Sequence, residues 1–235
     1  MNILIVGGGF GGVKAALELA AHKKNRITLL SQDDNFQYYP TLFSTATGHN
    51  YRESWVPLTT IFDSIENVDI VIDSAVSVDA TKKQVTTESG TSYKYDKVIF
   101  ALGSITTYFG IEGLDVYSFG IKSEEEIRKF QTHLWTEMSD GTDDEKNYVV
   151  IGGGPTGVEI AGALGEYLRV LRKHFGIRKK TLRISLVEAA PRLLPRLSEQ
   201  SSARALKQLK KLGVHVELNR KVEKQTVDEL IVNNR

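Results

Sequence analysis

The segment VVIGGGPTGVEIAGAL, residues 149–164, constrains the chain most. It is an apolar strand, a glycine-rich turn and the start of a helix, with Gly152, Gly154 and Gly157 in the G-x-G-x-x-G spacing. Each glycine answers a separate steric demand. Gly152 permits the tight turn out of the strand, Gly154 lets the backbone approach a pyrophosphate, and Gly157 lets the helix pack against the strand. The anion then rests on unpaired N–H groups at the positive end of the helix. One such fingerprint is weak, but the chain opens with another, NILIVGGGFGG at 2–12, which supplies Gly7, Gly9 and Gly12. Two fingerprints predict an α/β chain with two Rossmann-like dinucleotide-binding domains. That arrangement suits hydride traffic between a nicotinamide and a flavin.

Composition removes several alternatives. A formal net charge of +1 gives no global field for nucleic acid or an anionic membrane. No run of about 18 apolar residues is present. The short apolar run at the N-terminus leads straight into the glycine loop, unlike a signal peptide, so the expected compartment is the cytoplasm. There is no cysteine, so these residues supply no disulfide, thiolate metal site or thiol nucleophile. His22, His49, His133, His174 and His215 are scattered without metal-ligand spacing, so no metal site is assigned.

Residues 2–6 read as a buried parallel strand, followed by a helical stripe of Val13, Ala16, Leu17 and Ala20 and a strand at Ile27 to Leu30. An acid near the end of that strand would bind an adenosine ribose. Ser31 stands there instead, with Gln32, Asp33 and Asp34 after it. A serine can hydrogen-bond a ribose hydroxyl without charge assistance; Ser31 with nearby backbone is preferred, with Asp33 or Asp34 as the alternative. Phe36, Tyr38, Tyr39, Phe43, Tyr51 and Trp55 crowd residues 35–55. They read either as a packed loop or as a wall beside an isoalloxazine ring, with Pro40 fixing the backbone. Pro57 then opens a helix with Leu58, Ile61, Phe62 and Ile65 on its apolar face. Val76, Val78 and the turns at Thr81–Lys83 and Ser89–Gly90 predict a small antiparallel meander returning as the apolar strand 97–101. The Ala101-Leu102-Gly103 ending removes bulk where a backbone must approach a ligand.

Residues 104–122 form a connector. Ser123 and Glu126 make a capping box for a helix burying Ile127, Phe130, Leu134 and Met138, and residues 139–146 read as an exposed loop. The expected domains are therefore 1–122 and 147–235, joined by 123–146. In the second domain a long helix runs to about Phe175 with the stripe Ile160, Leu164, Leu168 and Leu171. The strand Leu182 to Val187 ends at Glu188, the acid that the first domain lacks. A carboxylate there accepts from both ribose hydroxyls and repels a 2′-phosphate, favouring NADH over NADPH. Arg169, Arg172, Lys173, His174, Arg178, Lys179 and Lys180 read as a solvated helix end complementing the dipole, or as a face for anionic lipid or an acidic partner. Ser198 to Leu212 reads as a helix with Leu206, Leu209 and Leu212 inward, stopped by Gly213. A strand at 214–218 and the start of another meander follow.

Five stretches, VGGGFGG (6–12), ALG with FGIEGL (101–103, 109–114), GGGPTGVEIAGAL (152–164), VEAAPRLLP (187–195) and the helix 198–212 leading to GVHVE, resemble the type II NADH:quinone oxidoreductases. The resemblance covers nearly all of the chain. It implies a three-layer ββα flavoprotein fold, with FAD in the first domain and NADH in the second. FAD would meet Gly7, Gly9, Phe10 and Gly11 at its pyrophosphate, Val76 at the adenine, and Ala101 and Gly103 near the flavin end; Gly12 from the fingerprint, with Ser31 and Pro40 from the reading above, complete the candidates for this cofactor. NADH would meet Gly152, Gly154, Pro155, Thr156 and Gly157 at its pyrophosphate and Glu188 at its ribose. Glu159 matches a family glutamate held close to the flavin and implicated in proton or charge relay; the alternative is a helix-face glutamate with a basic partner. Electrons would pass to a quinone.

Two departures stand out: Ser31 replaces an acid, and the family's third segment, which contacts the flavin, lines the quinone site and carries amphipathic membrane helices, is missing. The chain is thus expected to be C-terminally truncated relative to the family. Membrane contact would come only through the missing segment, placing the full-length protein on the cytoplasmic face of the inner membrane, with a homodimer left open. Ferredoxin- or rubredoxin-type NAD(P)H reductases are the runner-up, and a non-catalytic dinucleotide-binding fragment is the reading without turnover. Disulfide reductases and sulfide:quinone reductases need cysteines that these residues do not supply.

Overall fold

The computed structural model describes residues 1–139, 146–177 and 182–233. The chain divides into two compact units, Met1–Thr41 with Asn50–Ile105, and Leu42–His49 with Thr106–Arg235. The first unit opens with β1 (Asn2–Val6), α1 (Phe10–Ala20), β2 (Arg26–Ser31) and the short β3 (Asn35–Gln37). Helix α2 (Leu42–Ala46) belongs to the second unit. The chain then returns as β4 (Trp55–Pro57), α3 (Leu58–Phe62), β5 (Val68–Ile72), β6 (Ala75–Asp79), β7 (Gln84–Thr87), β8 (Ser92–Lys94) and β9 (Lys97–Phe100).

Strands β5-β2-β1-β9 form a parallel sheet in that order. Its central strands β1 and β2 are buried on both faces: α1 and α3 cover one through Val13, Ala16, Leu58 and Phe62, and the antiparallel sheet β6-β7-β8 contributes Val85 and Tyr93 to the core on Leu4, Val6 and Leu30. The predicted meander is therefore present, but its buried members are Val85 and Thr87, while Val76 and Val78 are exposed. Leu17 also departs from the expected stripe and is exposed. The expected helix from Pro57 to Ile65 is shorter. Pro57 is the last residue of β4 and caps α3, whereas Ile65 lies past the helix and still packs on the core. The aromatic stretch is more ordered than a loop, because β3 and β4 pair antiparallel within it.

The second unit continues with α4 (Leu114–Tyr117), α5 (Glu124–Ser139), β10 (Lys146–Ile151), α6 (Pro155–His174), β11 (Leu182–Glu188), α7 (Glu199–Lys211), β12 (Val214–Leu218), β13 (Val222–Gln225) and β14 (Leu230–Val232). Strands β10-β11-β12 are parallel, and β13 and β14 make an antiparallel hairpin. The capping box forms as expected: Ser123 Oγ accepts from the Glu126 N–H and Glu126 Oε2 from the Ser123 N–H, both at 3.1 Å. Leu134 and Met138 of α5 pack with Leu164, Leu168 and Leu171 of α6. On α7 the inward residue is Leu209; Leu206 is only partly buried and Leu212, which caps the helix, is 40% exposed. Gly213 follows with φ +82°, the left-handed stop expected of it. Arg172, Lys173 and His174 occupy the last turn of α6, where they complement the dipole. Arg178, Lys179 and Lys180, and most of the expected loop at 139–146, lie outside the described residues. Helix α2 packs on α5 and α6: Gln131 Nε2 donates to the Thr45 carbonyl at 2.6 Å, and Gly48 (φ +90°) lies where a Cβ would strike the Tyr167 ring. Among the described residues no helix is long and apolar enough to cross a membrane.

Candidate functional site

Both glycine-rich turns close in the same way. Gly7 has φ +115° and Gly152 has φ +101°, conformations that a side chain rarely adopts. A Cβ on Gly12 would land on the Gly7 carbonyl oxygen, and one on Gly157 on that of Gly152. These glycines therefore permit the turn to close on the first helical turn. Gly9 and Gly154 instead face open space where a Cβ would stand, leaving room for an incoming group. Both are helix N-caps, of α1 and α6, with no side chain capping and no acid in the first turn. Unpaired N–H groups at a positive helix end, approached by bare backbone, fit a pyrophosphate.

In the first unit the turn opens on a cavity of about 600 Å³. Of the sequence-predicted residues, Gly7, Gly9, Phe10, Gly11, Ser31, Ala101 and Gly103 line it. Gly12 is buried beneath the turn. Pro40 lies in the single turn Tyr39–Thr41, exposed and outside the lining, whereas Tyr39 is in it. Val76 is likewise outside, next to Ala75, which lines the cavity. Phe10 packs edge-on against Phe36 at 4.9 Å and parallel to Tyr39 at 6.1 Å, so one wall is aromatic. Ser31 is buried and its hydroxyl donates to the Asp33 carbonyl at 2.7 Å. Asp33 lines the cavity; Asp34 does not, and its carboxylate accepts from Asn35. Sequence reasoning missed Asp73, which follows β5 and donates its N–H to the Ser31 carbonyl at 2.8 Å. The Ser89 and Thr87 hydroxyls and the Ser74 N–H hold its carboxyl below the usual carboxylate range.

In the second unit Glu188 ends β11 where Ser31 ends β2, and each side chain lies under the middle glycine of its turn. Glu188 Oε2 accepts from the Gly153 N–H at 2.5 Å and Oε1 from the Ala190 N–H at 2.6 Å. The carboxylate is thereby fixed at the strand end with lone pairs left for further donors. Pro155 begins α6 and Thr156 follows, both exposed. Glu159 is exposed on the next turn, and partial burial of its carboxyl raises its pKa from the ordinary 4.5. The basic partner considered for it does not appear among the described residues. No group of three or more metal-binding side chains is placed to hold an ion among the described residues.

The family model for pyridine nucleotide-disulphide oxidoreductases matches residues 1–234. The chain belongs to this family. Its α/β fold carries the two dinucleotide-binding domains of that family. It is similar to type II NADH:quinone oxidoreductases of Staphylococcus haemolyticus, at 29% identity over 92% of the chain and 56% of the relative, and of Staphylococcus aureus, at 27% over the same shares. The chain thus spans about half the length of the curated relatives it matches. Among solved structures, NDH2 of Plasmodium falciparum in complex with NADH superposes with a TM-score of 0.86 at 20% identity, covering 98% of this chain and 50% of that one. The sulfide:quinone oxidoreductase of Aquifex aeolicus gives 0.80 at 25%, covering 98% and 54%. Several branches of the family are therefore alike in fold.

Within this oxidoreductase fold, Gly8 and Gly153 carry a constraint the fingerprint spacing does not display. A Cβ on Gly8 would meet Ser31 Oγ, and one on Gly153 would meet Leu193 at 2.7 Å and Glu188 at 3.0 Å. The run of three glycines in each loop was the available signal.

Proposed function

We propose that the chain forms the dinucleotide-binding part of an FAD-dependent NADH dehydrogenase that passes electrons to a quinone. The observation that carries the reading is the fixed carboxylate of Glu188 beside the bare helix end at Gly154. A diol ribose can donate to that carboxylate, while a 2′-phosphate meets its negative charge. The same site in the first unit has Ser31, so the two units favour different dinucleotides. The assignment extends to domains: residues 1–122 for FAD, 147–235 for NADH, with 123–146 between. The first-unit cavity suits FAD through its bare glycine turn, its aromatic wall and the small Ala101 and Gly103. FAD, when bound, supplies the hydride acceptor and electron carrier. The protein's part is to fix the pyrophosphates on Gly9–Gly11 and Gly154–Thr156, to orient one ribose on Glu188, and to hold a proton on Glu159.

The quinone as acceptor is supported by the names of the staphylococcal relatives. We place the protein at the cytoplasmic face of the inner membrane and leave a homodimer open.

The test is the visible absorption spectrum of the purified chain supplied with FAD, before and after anaerobic NADH. A retained flavin band that bleaches supports both sites and hydride transfer. A colourless protein assigns FAD retention to residues beyond these.

A further inference from the structure

The loop after Glu188 holds an arginine whose hydrogen bonds all run back into the loop itself. Arg192 Nη1 donates to the carbonyls of Leu194 at 3.2 Å and Leu197 at 3.0 Å, and Nη2 to that of Pro195 at 2.7 Å. Three carbonyls converging on one planar guanidinium fix the curvature of residues 192–197. Leu194 sits at φ +49°, in the left-handed region. A β-unbranched leucine adopts that conformation only when its surroundings impose it. From there its N–H donates to the Gly153 carbonyl at 2.7 Å. Leu193 is buried directly beneath Gly153.

The contacts form a closed circuit. Arg192 sets the Leu194 backbone, Leu194 holds the Gly153 carbonyl, and the Gly153 N–H holds Glu188 Oε2. Ala190, inside the same loop, holds Glu188 Oε1. The first unit is built differently: Ser31 bonds the Asp33 carbonyl, and Leu58 lies beneath Gly8.

We infer that Arg192 is a positioning residue of the second dinucleotide site, setting the glycine turn and the Glu188 carboxylate through the 189–197 loop. The inference rests on the reading that this site takes NADH. Arg192 itself touches no nucleotide in this role. Three of its five N–H donors are held by loop carbonyls, both of those on Nη1 and one on Nη2, so the guanidinium is oriented by the loop. Its removal frees both clamps on Glu188, and with them the geometry that distinguishes a ribose diol from a 2′-phosphate.

The experiment measures equilibrium binding of ADP-ribose, NADH and NADPH to the full chain and to Arg192→Met and Arg192→Ala, alongside thermal unfolding. Arg192→Met is expected to bind ADP-ribose and NADH about tenfold more weakly, the scale of a lost set of charge-assisted hydrogen bonds. The loss for NADPH is expected to be smaller, so the preference for NADH contracts. Free guanidinium at non-denaturing concentration is expected to restore ADP-ribose binding to Arg192→Ala. Wild-type affinity for ADP-ribose and an unchanged preference in Arg192→Met would overturn the inference and leave the NADH reading standing. So would an equal loss for NADH and NADPH, because Glu188 would then have kept its place. A wild-type chain that binds none of the three ligands overturns the NADH reading and the inference together. If both variants fail to fold, Arg192→Lys reads the same ratio, since one ammonium cannot span three carbonyls.

Discussion

Gly9 and Gly12 stand three residues apart and face opposite demands. Open space surrounds the first, while a Cβ on the second would overlap the Gly7 carbonyl. Gly154 and Gly157 repeat the contrast. Gly157→Ala is therefore expected to destabilise the second unit by about 2 kcal/mol through overpacking against backbone that cannot yield. Chemical denaturation would register this as a lower midpoint at constant slope. Glu159 supplies a prediction in pH. Partial burial raises its folded pKa above the unfolded value of 4.5, so the ionised form is disfavoured in the fold. Its contribution is favourable below the unfolded pKa and is lost as pH rises through the folded one. Glu159→Gln is thus expected to melt slightly higher than wild type at pH 7, with the gap closing as pH falls through the raised folded pKa towards 4.5. Melting curves across that range decide it; a gap that widens in acid contradicts the assignment.

Elements ranged from openly legible to hidden. The capping box at Ser123 and Glu126 forms as the four-residue pattern requires, and Ser123→Ala is expected to cost about 1 kcal/mol, measurable by denaturant titration. Strands β1, β2 and β11 were legible because their buried runs are mostly apolar, and β10, which has no buried residue, because its run Tyr148–Ile151 leads straight into the glycine turn. The stripe of α6 was legible because Ile160, Leu164, Leu168 and Leu171 repeat at helical spacing and are buried. Leu17 and Leu212 misled for one reason: residue type states what a position tolerates, and a helix edge tolerates leucine in water. The pairing of β3 with β4 stayed hidden because three-residue strands carry too little pattern to show a period. At the site, the glycines and Glu188 were visible in the spacing. Asp73 and Arg192 were not, since their partners are the Ser89 and Thr87 hydroxyls in one case and backbone carbonyls in the other. No residue-type pattern encodes such a partner.

At the scale of the molecule, the feature that sequence order conceals is the excursion of Leu42–His49 into the second unit. Leu42 and Ala46 are buried there, and Thr45 accepts from Gln131. Residues 106–235 prepared without this segment are expected to melt earlier and less cooperatively than the second unit of the whole chain. Scanning calorimetry of that piece, with and without a peptide spanning residues 42–49, tests this. A piece that melts alone at the temperature of the whole chain would show that the excursion adds nothing. The excursion also sets an order of events at the ribosome. Leu42 and Ala46 emerge early, while the helices on which their own helix packs, Glu124–Ser139 and Pro155–His174, are still untranslated. The nascent chain must therefore carry an unsheltered apolar turn until the second half is made. This stretch, and not a glycine loop, is where a holdase would be expected to dwell during synthesis.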